Sequence, residues 1–190
     1  MKLDVPYYSQ FKDVTDPEWR LKACTIANLK MALEYALGAP APSIDELIKE
    51  GLLIRGYGPH GWIHDAIVNL AHNHGVPAYR EEFRSVAVDT ARSEFSRSKY
   101  EDSLLSYSLE KFRKKLSAGA LVIASTPRNW APDGNFHTTL LVGYKEKNGA
   151  LSGFYYHDPD APNEPKKDQF VDVETFKEYW RRLAIFFEKE

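Results

Sequence analysis

The chain changes texture at residue 120, and that change does most to limit its fold. Ala120-Leu121-Val122-Ile123-Ala124 is a short apolar run, and His137-Thr138-Thr139-Leu140-Leu141-Val142-Gly143-Tyr144 is a longer one. Both read as strands. Asn148-Gly149 then precedes Phe154-Tyr155-Tyr156. Asn-Gly between two strand-like runs signals a tight hairpin, so the second half predicts antiparallel pairing. Asp158-Pro159 ends the hairpin's second strand. A short helix near Val173–Trp180 and a last strand at Ala184–Phe187 complete the pattern.

The first half reads as helices. Ile26, Leu29, Leu33 and Leu37 form one apolar stripe, which predicts a helix over 24–37 stopped by Gly38. Ser43 with Glu46 makes a capping box for a second helix, expected to end at Gly51. A third helix is predicted from Trp62 to His74, with Gly75 closing it. Residues 1–12 read as extended, since Pro6 is excluded from a helix interior. The polar stretch 81–107 reads as a surface excursion with one short helix at most. Ser108 is placed as the cap of a fourth helix ending near Leu116. Helices precede strands, so the fold class is α+β. A length of 190 residues suffices for one domain with its own core, and 1–190 is read as a single domain.

Charge narrows the partners. The formal net charge is -2, and phosphate binding needs a clustered positive excess, so no nucleic acid is expected. No anionic membrane surface is expected either. No stretch of about 18 apolar residues exists to span a bilayer. No apolar run of signal-peptide length follows Lys2, which makes a cytoplasmic location the expectation.

The chain has one cysteine, Cys24, at the start of the first predicted helix. Unpaired N–H groups there favour a thiolate, the reactive form. Taken alone, a single cysteine is more often a buried structural residue. A thiolate nucleophile needs an imidazole partner. His60, His64, His72 and His74 lie in or near the third helix and match no zinc-ligand spacing. No metal or other cofactor is expected. His137 opens a strand straight after a loop with Gly and Pro, a rigid mount with one open side. His157, at a strand end, is its competitor. Asp158 is placed to reach the far nitrogen of His137, although as a residue before Pro159 it is also an ordinary turn former. Gln10, with the backbone N–H of Cys24, would supply two donors to an oxyanion; taken alone it is a polar loop residue. Trp62 and Trp130 are candidate cleft aromatics.

Val5-Pro6-Tyr7-Tyr8-Ser9-Gln10, Trp19, Cys24 opening a helix, Gly61-Trp62, the strand His137 to Tyr144, and His157-Asp158-Pro159 occur in that order. This series resembles the bacteriocin-processing peptidases, the papain-like group numbered thirty-nine among cysteine peptidases, and especially their free-standing relatives. The resemblance implies a helix bearing the cysteine packed on an antiparallel sheet bearing His and Asp. It implies Cys24 as nucleophile, His137 as base, Asp158 as its orienter and Gln10 as oxyanion donor. Where many members carry Gly after the cysteine, this chain has Thr25. The expected activity is thiol hydrolysis, foremost of a peptide or protein substrate. Amidase or transglutaminase-like acyl transfer would use the same residues, and a non-catalytic peptide-binding module would keep the same fold. The oligomeric state is not legible.

Overall fold

The computed structural model describes residues 1–85 and 101–189. Three helices come first: α1 (Cys24–Leu37), α2 (Ile44–Leu53) and α3 (His64–Asn73). A two-stranded ribbon of β1 (Tyr57–Gly58) and β2 (Gly61–Trp62) lies between the last two. Then come β3 (Ala78–Glu82), α4 (Glu101–Ser117), β4 (Leu121–Pro127), a 3-10 turn at Arg128–Trp130, β5 (Phe136–Lys147) and β6 (Ala150–Asp158). β7 (Lys166–Asp172), α5 (Val173–Tyr179) and β8 (Leu183–Phe187) finish the chain. β3-β8-β4-β5-β6-β7 form one sheet in that order, every neighbouring pair antiparallel. The architecture is α+β, as expected.

Alternation sorts the central strands into two cores. Leu121, Ile123, Leu140, Val142, Ile185 and Phe187 join the apolar faces of α1, α2 and α3. Val122, Ala124, Leu141, Ala184 and Phe186 join Phe112 of α4 and Phe176 of α5. Helices therefore cover both faces of the sheet, and β4 is buried along its whole length. The hairpin turn between β5 and β6 is Asn148-Gly149, at φ of 52° and 79° with Lys147 opposite Ala150. Positive φ at both residues is why Asn-Gly is favoured there. The N-terminal segment is tied to β5: Leu3 N–H donates to Val142 O at 2.8 Å, and Tyr144 N–H to Met1 O at 2.9 Å. A Cβ at Gly143 would come within 2.5 Å of Met1 O, so this approach requires glycine.

Several expectations need adjustment. α2 runs two residues past Gly51, because Gly51 is a packing position whose missing Cβ admits the Trp62 ring. Trp62 itself lies in β2, and α3 starts at His64. Gly75 follows the end of α3 at φ +79°. α4 begins at Glu101, so Ser108 is not its cap. Ser108 is buried mid-helix, and its hydroxyl donates to Leu105 O at 2.6 Å. Residues 86–100 of the expected surface excursion lie outside the described residues, but 78–82 form β3. β3 and β7, which were not expected, are the two edges of the sheet. Among the described residues no helix is long and apolar enough to cross a membrane.

Candidate active site

Cys24 is the first residue of α1. Its N-cap, Ala23, offers no side-chain acceptor, and the first turn holds no acidic residue. The partial positive charge of the helix start is thus left for the sulfur. The helix is bolted to β5 one residue from His137. Thr25 Oγ1 lies 3.2 Å from Thr138 Oγ1. Asn28, fully buried one turn after Cys24, donates from Nδ2 to Thr138 O at 2.9 Å and to Thr138 Oγ1 at 3.1 Å. Thr25 Oγ1 is also 3.8 Å from Cys24 Sγ.

β5 and β6 are hydrogen-bonded neighbours with Leu140 opposite His157, so the end of β6 lies near the start of β5. There His137 Nε2 donates to Asp158 Oδ1 at 2.6 Å, with both side chains buried. Asp158 Oδ1 also accepts from Asp160 N–H at 2.9 Å, and Lys166 Nζ is 3.7 Å from Oδ2. The second ring nitrogen, Nδ1, is buried and makes no regular hydrogen bond. Burial pushes the Cys24 thiol up, but the nearby charge of His137, helped by the Thr138 and Thr25 hydroxyls, outweighs it and brings the thiol down to about 7. Burial opposes the charged form of His137, yet Asp158 and Cys24 together raise it to about 10. Burial likewise opposes the Asp158 carboxylate, but His137, the Asp160 N–H and Lys166 hold it below its ordinary value.

Cys24 and His137 share the wall of a cleft of about 790 Å³ with Thr25, Trp62, His64 and Phe136. Trp62 is held in place by donating from Nε1 to Lys22 O at 2.9 Å. Trp130 does not line this cleft. It packs against Tyr156 and Phe176, with ring centroids 5.5 and 5.8 Å away, because the 3-10 turn carries it over the α5 side of the sheet. Gln10 is fully buried beside the Asp158 corner: its backbone N–H donates to Pro159 O at 3.0 Å. Its Nε2 donates to Arg20 O at 2.7 Å, which presses the amide against the segment leading into Cys24. His157 is a structural residue. Its Nε2 donates to Val5 O at 3.2 Å, and its Nδ1 accepts from Asp168 N–H at 3.1 Å, an arrangement only the neutral ring allows. His72 contacts Ala78 O at 2.8 Å and His74 contacts Glu50 at 2.7 Å. Among the described residues no group of three or more His, Cys, Asp or Glu side chains converges as a metal site.

A sequence model of the Peptidase_C39 like family matches residues 2–184. The chain belongs to the Peptidase_C39 like family. Solved structures agree on the fold. A protein from Bacillus anthracis described as a C39-like peptidase superposes with a TM-score of 0.64 at 18% identity, covering 100% of this chain and 98% of the other. A double glycine motif protease from an AMS/PCAT transporter, solved with its leader peptide, gives 0.57 at 16% identity, covering 99% and 94%. The peptidase domain of Streptococcus ComA, a bi-functional ABC transporter, gives 0.55 at 16% identity, covering 90% and 93%. No curated protein matches the chain in sequence. The fold is thus the papain-like one of C39 peptidases, and the family supports a cysteine-peptidase type of function.

In this C39-like chain Asn28 and Thr138 escaped the sequence reading as site residues, and Thr25 was noted there only as a departure from the family pattern. A signal existed, since Asn28 is a polar residue within an apolar helix, one turn from the cysteine. Tyr7 is another. Its hydroxyl donates to Asp158 O at 2.9 Å and accepts from Lys166 N–H at 3.1 Å, clamping the corner that carries the carboxylate.

Proposed function

We propose that the chain is a cysteine peptidase in which Cys24 attacks the carbonyl carbon of a peptide bond. His137 takes the thiol proton and later delivers it to the leaving amine. Asp158 holds the ring tautomer with its proton on Nε2 and stabilises the imidazolium. Water then hydrolyses the thioester and restores the thiol. The second Nε2 hydrogen of Gln10 and the backbone N–H of Cys24 are the proposed oxyanion donors. The observation that carries this reading is the buried 2.6 Å bond from His137 to Asp158 beside a thiol lowered to about 7. A thiolate and imidazolium coexisting at neutral pH are what such a nucleophile requires. The leader peptide in the transporter protease complex supports a peptide as the substrate here. The sheet draws strands from residues 78 to 187 and receives α1 on one face, which supports 1–190 acting as one catalytic unit.

The test is alkylation. Iodoacetamide at neutral pH should label Cys24 faster than free cysteine, and His137→Ala should slow peptide cleavage by about 10²–10⁴-fold. Labelling no faster than free cysteine would sink the reading.

A further inference from the structure

Arg84, just after β3, and Arg181, between α5 and β8, line the same cleft as Cys24 and His137. Arg84 donates from Nε and Nη2 to Arg181 O at 3.0 and 2.7 Å. Arg181 donates from Nη2 to Gly134 O at 3.0 Å, and its guanidinium lies 4.0 Å from the centre of the Phe136 ring. Backbone carbonyls thus hold both heads in place but neutralise neither. Neither pairs with a carboxylate among the described residues. Arg80, in the wall of the same cleft, shows the contrast: it is bound to Asp65 at 2.5 Å and Glu82 at 3.3 Å. The Arg84 charge also works against that of Arg181, after the larger effect of burial. A fold that brings two cations together with no carboxylate of the described residues paired to either presents a fixed positive site in a cleft, where an incoming anion is bound without reorganising the protein. Phe136 adds an apolar shelf beside it. Its side chain is 74% exposed, and it directly precedes His137. The site therefore shares one cleft with Cys24 and His137.

We propose that Arg84 and Arg181, with the Phe136 shelf, form a subsite that selects peptide substrates carrying a carboxylate near the scissile bond. The carboxylate is either an acidic side chain or a free C-terminus. The guanidinium hydrogens not committed to carbonyls form charge-assisted bonds to it. This rests on the peptidase reading above, so the experiment separates the two.

N-chloroacetyl tripeptides are prepared with Glu or the isosteric Gln at each position in turn, and with a C-terminal acid or amide. Each rate of Cys24 alkylation is divided by the same variant's iodoacetamide rate. The intact chain should favour the acid form about tenfold at one position at low salt, and less in high salt. The Glu/Gln and acid/amide arms tell which carboxylate is bound. The preference should fall to near one in Arg84→Gln/Arg181→Gln and be partly kept in Arg84→Lys/Arg181→Lys. A ratio near one throughout in the intact chain, or an unchanged ratio in the double Gln variant, overturns the subsite. Slow iodoacetamide labelling with the acid preference intact would instead sink the Cys24–His137 pairing and keep the subsite.

Discussion

At the scale of single residues, the question for Cys24 is which of two opposed forces controls its proton. Burial favours the neutral thiol, while His137 favours the thiolate, and His137 wins. Alkylation of Cys24 should therefore rise with pH around a midpoint of about 7. In His137→Ala only the Thr138 and Thr25 hydroxyls still oppose burial, and the midpoint should move up toward or beyond the ordinary thiol value of about 8.5; a pH series of labelling rates reads both. Stability should follow the same charges. His137 is raised from 6.5 to about 10, so its contribution is complete below 6.5 and is lost as pH rises toward 10, while Cys24, lowered from 9.0 to about 7, contributes in the opposite sense between 7 and 9 and offsets part of that loss. Asp158 is lowered from 3.8, so its contribution is present above 3.8 and is lost as pH falls further. Denaturant melts should show a plateau between these limits, and Asp158→Asn should remove its acid edge. Gln10→Ala should lower kcat about 10²–10³-fold with little change in KM, since an oxyanion donor acts on the transition state. A change confined to KM would contradict that role.

At the scale of elements, the join between α1 and β5 sets the site. The Asn28 fork onto Thr138 and the Thr25–Thr138 contact place the helix start against the strand start. Asn28→Ala leaves Thr138 O buried without this donor, which costs about 1–3 kcal/mol. It should also slow Cys24 alkylation at fixed pH, because the helix register on β5 loosens. Thermal melts and labelling rates measured together separate the two effects. Elements were legible to different degrees for a physical reason. α1, β5 and the Asn148-Gly149 turn are strongly patterned because they are buried or conformationally demanding. β3 and β7 escaped because they are sheet edges, and β7 buries only Val171 along its seven residues. A polar edge resists pairing with other chains, and it also erases the alternation by which a strand is recognised. α4 was read too short because Ser108 was taken as a cap, whereas its hydroxyl is satisfied by its own helix.

At the scale of the whole molecule, the sheet is held by two separate cores, and only one touches the site. Phe112 sits in the far core, with Phe154, Phe176, Trp180 and Phe186 rings 4.9–6.1 Å from its own. Phe112→Ala should cost about 3–5 kcal/mol. Below its melting range, the midpoint of Cys24 alkylation in this variant should stay where it is in the intact chain. The near core, with Leu29, Leu33 and Leu140, carries α1 directly, so large-to-small changes there should move stability and reactivity together.

The sequence by itself determined the α+β order, the helix start at Cys24, the hairpin turn and the order of Gln10, Cys24, His137 and Asp158. Each follows from local pattern or from the order of residues along the chain. It placed His137 ahead of its competitor His157, and tertiary structure shows what each ring meets. His157 donates to Val5 O and accepts from Asp168 N–H, so both its nitrogens are used, whereas His137 donates to Asp158 and keeps its other nitrogen uncommitted. It also made Trp130 a candidate for the cleft or for ordinary packing, and the ring packs against Tyr156 and Phe176. Asn28 and the Arg84–Arg181 pair are tertiary facts of the same kind, since partners 97 to 110 residues apart in sequence leave no local periodicity to read. A strand or turn is written in its own residues, but a buried pair such as His137 and Asp158 depends on where distant backbones cross.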